Sequence, residues 1–118
     1  MLTQVRRQNG VTILEPNGRI MGPSVSKLRE VILAQMEAYD APRILINFEK
    51  VSMIGSAGLG ALMEARTIAT RKKGRIGVIH VGKQIKNLIV TSRLASVFEH
   101  FDSEDAAVYS LSIVSKVQ

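Results

Sequence analysis

Apolar residues occur along this chain in two alternating patterns, continuous runs and helical repeats. Short runs of branched apolar residues at 43–48 and 75–81 are typical of strands buried inside a sheet. Apolar positions spaced three and four apart predict helices over 24–39, 57–71 and 84–90. Strands that alternate with helices predict an α/β domain, in which helices cover a sheet and connect its strands by right-handed crossovers.

The first twenty residues predict strands. Residues 2–8 alternate weakly and indicate an edge strand, and Asn-Gly at 9–10 is a strong turn signal that leads into a strand over 11–15. Pro-Asn-Gly at 16–18 is expected to break that strand and to leave a short further segment at 19–20. The chain is therefore expected to begin with a β-hairpin.

Capping residues and a late apolar segment complete the predicted fold. Ser24 is the expected N-cap of the first helix, and Ser103 or Asp102 is the expected N-cap of a last helix. A short strand is expected over 97–101. The elements together predict one domain over residues 1–118, with a mixed sheet of four to five strands flanked by about four helices.

Composition excludes several kinds of site. The 118 residues include no cysteine, which excludes disulfides, thiolate metal sites and thiol nucleophiles. His80 and His100 are the two histidines, so a site with three histidine ligands is impossible and we expect no metal. The first ten residues lack the apolar segment of a signal peptide, and no run of 18 apolar residues is present. We therefore expect a cytoplasmic location and no insertion into a membrane.

Three segments approach known catalytic or nucleotide-binding motifs and fail. Residues 77–84 (GVIHVGKQ) nearly match the P-loop, but Gln84 replaces the hydroxyl that holds magnesium, and the interior has the sequence of a strand. Gly58 and Gly60 begin a dinucleotide fingerprint whose third glycine is missing. Residues 55–58 (GSAG) do not form a nucleophile elbow. We therefore expect no catalytic residue and no cofactor in these segments.

The most informative segment connects the central strand to the second helix. Residues 51–60 (VSMIGSAGLG) concentrate glycine, alanine and serine at the helix start, where small side chains let a partner approach closely. Ser56 falls at the N-cap or in the first turn, and serine is itself a favoured N-cap. Phosphorylation of Ser56 is the functional alternative, because a phosphate there would meet free N–H groups and the positive end of the helix dipole.

The chain resembles a STAS domain over nearly its whole length, and within that family it is similar to the bacterial anti-sigma factor antagonists. The strand at 43–48 (RILINF), the loop at 49–60 and the helix start at 61–65 (ALMEA) are similar to the family's central strand, phosphorylation loop and following helix. Residues 18–20 (GRI) resemble the family's short strand before the first helix, and positions between 94 and 107 resemble its C-terminal pattern.

The resemblance implies a role for particular residues. Ser56 matches the family's phosphorylatable serine. The family commonly has an acidic residue just before that serine and another after the first short strand, whereas this chain has Gly55 and Met21 at those positions. The implied partner-binding surface consists of Met21, Ile54, Gly55, Ser56, Ala57, Gly58 and Leu59.

The resemblance implies a protein-binding switch and not an enzyme. The unphosphorylated chain would bind an anti-sigma factor and so release a sigma factor, and the anti-sigma factor, a serine-protein kinase that uses ATP, would phosphorylate Ser56 and eject its antagonist. An alternative keeps the fold without the switch, as a non-phosphorylated STAS scaffold subunit of a lipid-transport or stress-signalling complex. The resemblance leaves nucleotide binding and the oligomeric state open.

Charge is the one unusual feature of the composition. Sixteen basic and ten acidic residues give a net charge of +6, a balance that by itself favours a nucleic-acid partner. Residues 64–93 hold eight basic residues and one acidic residue, a net charge of +7, while the rest of the chain holds eight basic and nine acidic residues. Because the excess lies in the helix after Ser56 and the next strand–helix unit, we expect an acidic protein partner and no direct binding of nucleic acid.

Overall fold

The architecture is given by a computed structural model, which describes residues 2–94 and 96–113. The α/β fold with a mixed sheet and four helices is confirmed, and the described residues contain six strands where four to five were expected. In chain order the elements are β1 (Leu2–Gln8), β2 (Val11–Ile20), α1 (Pro23–Ala38), β3 (Arg43–Asn47), β4 (Val51–Ile54), α2 (Ser56–Arg71), β5 (Arg75–Ile79), α3 (Lys83–Thr91), β6 (Glu99–Phe101) and α4 (Glu104–Ser112).

The sheet combines one antiparallel pair with parallel strands. Its order is β1-β2-β3-β5-β6, in which β1 is antiparallel to β2 and the other neighbours are parallel. The predicted hairpin turn joins β1 to β2, and both of its residues have a positive φ, 53° at Asn9 and 79° at Gly10. An Asn-Gly turn of this kind matches the twist of the two strands that it joins.

The expected break at residues 16–18 does not end the strand, so that prediction is wrong. β2 runs without interruption through this segment, and Pro16 is the register partner of Thr3 in β1. β2 pairs with β3 as far as Leu14 and with β4 from Gly18 onward, so Pro16 lies between the two parallel partners. A strand with a free side tolerates proline, since no ladder hydrogen bond is lost there.

Residues 51–54 form β4, although the sequence predicted a loop there. β4 has only four residues, and it pairs in parallel with the second half of β2, where Ile54 lies opposite Ile20. The register of this pair shifts between Gly18, whose φ is 105°, and Arg19. β4 is therefore stabilised by a partner more than thirty residues away, which a local pattern does not reveal.

Helix α1 does not use the serine that was expected to cap it. Its N-cap is Gly22, so the prediction of Ser24 as the N-cap is wrong. The Ser24 hydroxyl accepts a hydrogen bond from the N–H of Met21 at 2.9 Å and donates to the carbonyl of Arg19 at 2.7 Å. Ser24 thus closes the turn between β2 and α1, and this turn carries Met21.

Apolar residues form one core on each face of the sheet. The larger core lies between the sheet and helices α1, α2 and α3, and the smaller one lies under α4. The alternation of strand residues assigns neighbours to opposite faces, with Leu14 in the larger core and Ile13 in the smaller. One face of the sheet is therefore covered by three helices and the other face by α4. Helix α2, which begins with Ser56, is one of the three.

Candidate functional site

Ser56 lies where the parallel strands β2 and β4 end side by side. The N–H of Gly55, just after β4, donates to the carbonyl of Ile20, the last residue of β2, at 3.2 Å. This bond brings the residue after β2 beside the residue after β4. A Cβ atom built on Gly55 would lie 3.5 Å from both Cγ and Cε of Met21. The structure thus brings together the two segments in which sequence analysis placed the candidate site.

Ser56 is the first residue of α2 and does not cap it. Gly55 is the N-cap, in an extended conformation, and within the described residues α2 has no side-chain cap. Ser56 and Ala57 are exposed, as is Gly60, where an added Cβ would meet open space. The start of α2 is therefore an accessible surface of small, uncharged residues that leaves the serine hydroxyl free of a capping role.

The remaining predicted binding residues lie beneath this surface. Ile54 is 1% exposed and Leu59 is 5% exposed, so both belong to the core. Gly58 is also buried, and a Cβ built there would lie 2.7 Å from Cγ1 of Ile54 and 2.9 Å from Cγ2 of Ile20. These three residues support the loop from within, while Met21, Ser56 and Ala57 form its outer surface.

Two methionine sulfurs and one arginine form a patch next to the Ser56 loop. Nη2 of Arg19 lies 3.7 Å from Sδ of Met21 and 3.6 Å from Sδ of Met53. Arg19 and Met53 are register partners in β2 and β4, so their side chains share one face of the strand pair. The surface beside the Ser56 loop therefore combines apolar side chains with one positive charge.

Gln84 is a structural residue of the site that sequence reasoning missed. Its Oε1 accepts from the N–H of Ile54 at 3.0 Å, and its Nε2 donates to the carbonyl of the same residue at 3.1 Å. One side chain on α3 thus pairs with both backbone groups at the end of β4, as a neighbouring strand would. The sequence singled out Gln84 only as the residue that breaks the P-loop pattern, and that segment is indeed a strand followed by a helix.

An ion pair fixes α2 against α1. Nε of Arg29 lies 2.6 Å from Oε1 of Glu64, and Nη2 of Arg29 lies 2.8 Å from Oε2. These hydrogen bonds hold the pKa of Glu64 below its ordinary value and raise the pKa of Arg29. The pair is solvent-exposed, so its role is to orient α2 rather than to add much stability.

The cations of residues 64–93 separate into those that hydrogen-bond to other parts of the chain and those that are exposed without such a bond among the described residues. Arg66 donates to the carbonyl of Val97 at 3.2 Å, and Lys72 donates to the carbonyl of Met36. Arg75 donates hydrogen bonds to the carboxylate of Glu99 and to the carbonyl of Ser110, and its hydrogen bond to Glu99 is the main reason that the pKa of Arg75 is raised. Arg71, Lys73, Lys83, Lys86 and Arg93 are exposed.

The residues that the structure describes lack two further kinds of feature. No group of three His, Asp or Glu side chains there could hold a metal ion. Over the same residues, every helix is too short or too polar to cross a bilayer. A cavity of about 190 Å³ is lined by Arg66 and Thr70 of α2 and by Phe98, among other residues, so it lies toward the far end of α2 from Ser56.

Comparison with known proteins places this geometry in a family. The STAS domain family model matches residues 3–107. The anti-sigma F factor antagonist of Paenibacillus polymyxa is 20% identical over 112 residues, which cover 95% of this chain and 96% of the relative.

Two solved structures share the fold. An anti-sigma factor antagonist from Mycobacterium paratuberculosis has a TM-score of 0.81 and 24% identity, covering 93% of this chain and 92% of that one. The Bacillus cell fate determinant SpoIIAA, in its phosphorylated form, has a TM-score of 0.72 and 18% identity, covering 92% and 98% respectively.

Proposed function

The chain belongs to the STAS domain family, and from this premise we propose that it is an anti-sigma factor antagonist switched by phosphorylation of Ser56. The unphosphorylated protein binds an anti-sigma factor through the Ser56 loop and the start of α2, and a sigma factor is released as a result. The anti-sigma factor is also the serine kinase. We further propose that the chain acts as a single STAS domain in the cytoplasm, without catalytic activity or a cofactor.

One observation carries this proposal: Ser56 is exposed at the first position of a sixteen-residue helix that has no side-chain cap among the described residues. Exposure gives a kinase access to the hydroxyl. Small neighbours, Ala57 and Gly60, allow a partner's backbone to approach closely. Names of relatives support the same function, since the curated relative is called an anti-sigma F factor antagonist.

The chemistry is a phosphoryl transfer to Ser56. The serine Oγ attacks the γ-phosphorus of ATP, ADP leaves, and the hydroxyl proton passes to a base of the kinase. The product carries nearly two negative charges at the start of α2, where free N–H groups and the helix dipole favour the phosphate. The phosphoprotein is therefore stable by itself, while its charge opposes a partner interface that buries this surface.

The expected size of the switch follows from the cost of an unpaired charge in an interface. That cost is about 2–5 kcal/mol, and each 1.4 kcal/mol changes affinity about tenfold. Phosphorylation of Ser56 should therefore weaken partner binding roughly 30- to 4,000-fold. A single modification at this position is sufficient to change the partner state of the chain.

The test uses purified anti-sigma factor kinases from the organism that encodes this chain, with ATP and mapping of the product by mass spectrometry. We expect phosphate on Ser56, none in Ser56→Ala, and weaker binding by Ser56→Asp. Ser52→Ala is the matched control, because Ser52 is also exposed and lies in β4, four residues earlier. Phosphate on another residue, or an unaltered Kd for Ser56→Asp, contradicts the switch.

A second candidate function is supported by the contact between Met21 and Gly55. The family's two acidic positions meet in this chain as a methionine packed over a glycine, which suits a permanent apolar contact. In that case the chain is a non-phosphorylated scaffold subunit of a lipid-transport or stress-signalling complex. A partner that binds the wild-type chain and Ser56→Asp equally well would select this function.

A further inference from the structure

Helix α3 presents an outward surface that the proposed switch does not use. Lys83, Lys86 and Val90 lie at spacings of three and four and are exposed, while Ile85 and the other large apolar side chains of α3 pack into the core. Arg93, just past the end of the helix, is exposed as well. We call Lys83, Lys86, Val90 and Arg93 the α3 surface.

The charge of the α3 surface is not compensated by acidic neighbours in sequence. Residues 65–98 contain no aspartate or glutamate. The acids at the two ends of that stretch are already engaged, Glu64 with Arg29 and Glu99 with Arg75. Within residues 2–94 and 96–113, none of the three cations of the α3 surface takes part in an ion pair.

An exposed apolar residue lies among these cations. Val90 is 55% exposed. A small apolar centre with charged groups around it is the arrangement of a protein–protein contact, in which the polar rim surrounds an apolar core. This arrangement favours a folded protein with an acidic surface over nucleic acid, for which a valine offers neither a hydrogen bond nor an aromatic stacking face.

The α3 surface is connected to the Ser56 loop through Gln84. This residue lies between Lys83 and Ile85 and binds both backbone groups of Ile54, two residues before Ser56. A standard interface buries about 800 Å² on each partner, which as a disc has a radius of about 16 Å. Because Gln84 bonds to Ile54, only two residues from Ser56, an interface of this radius centred on the Ser56 loop can reach the start of α3.

We propose that the α3 surface docks an acidic surface of the same protein that binds the Ser56 loop. The inference rests on the proposed function, because it takes that partner as its ligand. Ser56 decides whether the partner is bound, whereas the α3 surface steers it into place and increases the association rate. Phosphorylation adds negative charge to the surface that the same partner contacts, so it also weakens the attraction for an acidic partner.

The experiment measures association rates between the full chain and the purified kinase at 0.05 and 0.5 M salt. Lys86→Glu should slow association about tenfold at low salt, and the difference should largely vanish at high salt, where the Debye length is only a few ångströms. Arg71→Glu is the matched control, since Arg71 is exposed at the far end of α2, about 22 Å along the helix from Ser56. It should change the rate less than about twofold.

The outcomes separate this inference from the proposed function. If Ser56→Asp weakens binding but Lys86→Glu and Arg71→Glu behave alike, the α3 docking surface is wrong and the switch stands. If no kinase binds the wild-type chain, the proposed function fails and the inference with it. Vesicles containing phosphatidylserine form a further arm: vesicle binding that Lys86→Glu abolishes, with kinase binding unchanged, would assign the surface to a membrane and overturn the proposal.

Discussion

The first turns of α2 and α4 are built in opposite ways. At α4 the hydroxyl of Ser103 accepts a hydrogen bond from the N–H of Ala106 at 3.1 Å, and Glu104 and Asp105 supply acids in the first turn. At α2 the cap is Gly55, and the described residues provide neither a capping side chain nor an acid in the first turn. α4 satisfies its own N–H groups and dipole, whereas α2 leaves them to solvent or to a partner.

The same contrast separates the two faces of the sheet. The N-cap residue of α1, α2 and α3 is a glycine in each case, and among the described residues no side chain caps any of the three. All three helices cover the face of the sheet that contains the larger core. α4 alone covers the other face. A helix whose start is satisfied internally adds to stability, while one whose start is open can respond to a new charge. The proposed switch lies at an open start.

The largest expected effect tests how tightly α2 is held from within. Gly58→Ala places a Cβ within 3 Å of Ile54 and Ile20. We therefore expect the free energy of unfolding, measured by urea titration, to fall by roughly 2 kcal/mol. Gly60→Ala is the control on the same helix, where an added Cβ meets open space. It should stabilise the protein by up to about 1 kcal/mol, because alanine favours helix. Equal effects of the two changes would contradict the close packing at Gly58.

The next effect tests the hydrogen bonds that hold the end of β4. Gln84→Ala removes both bonds to Ile54. Since Gln84 is exposed, each bond should contribute about 0.5–1 kcal/mol, so the cost should be roughly 1–2 kcal/mol. Hydrogen exchange at the Ile54 amide should accelerate more than at Ile46, which lies in the central strand.

A third variant separates the two bonds of this residue. Gln84→Glu keeps an acceptor for the Ile54 N–H but, when ionised, turns a carboxylate oxygen toward the Ile54 carbonyl. Near pH 4, where the carboxyl group can take up a proton and donate it to that carbonyl, the unfolding free energy should lie between those of wild type and Gln84→Ala. At pH 7 it should lie lower than at pH 4 relative to wild type. Unfolding free energies at the two pH values measure this. Indifference to pH would show that the second bond contributes nothing.

A smaller effect addresses the two helix starts directly. Ser103→Ala should cost about 1 kcal/mol of unfolding free energy, because it removes the cap of α4. Ser56→Ala should change stability by less than about 0.5 kcal/mol, since Ser56 does not cap α2. Urea titrations of the two variants side by side measure the difference. A cost at Ser56 equal to that at Ser103 would mean that Ser56 is structural.

The smallest effect is expected from a variant that gives α2 a side-chain cap, as α4 has. Gly55→Asp puts a capping acid at the N-cap, and a Cβ there makes only ordinary contacts with Met21 at 3.5 Å. Replacing glycine by a favoured cap is worth a few tenths of a kcal/mol. The thermal midpoint should therefore rise slightly at low salt and less at high salt. A clear fall would indicate that the Met21 contact does not tolerate a side chain at position 55.

Most of the secondary structure could be predicted because its causes are local. The central strands β3 and β5, the Asn-Gly hairpin and the cap at Ser103 agree with the structure within a few residues. Ser56 was predicted at the N-cap or in the first turn and is the first residue of α2. The strand β4 was missed, and Ser24 was given a capping role that it does not have.

The sequence alone determined the alternation of strands and helices and the position of Ser56 at a helix start, because periodicity and turn chemistry act over a few residues. Only the tertiary structure decided that Met21 packs over Gly55, that Gln84 binds the end of β4 and that Gly58 must lack a side chain. Met21 and Gly55 are 34 residues apart, and Gln84 and Ile54 are 30 apart. Contacts over such separations depend on strand register and helix packing, which are fixed only when the sheet has formed.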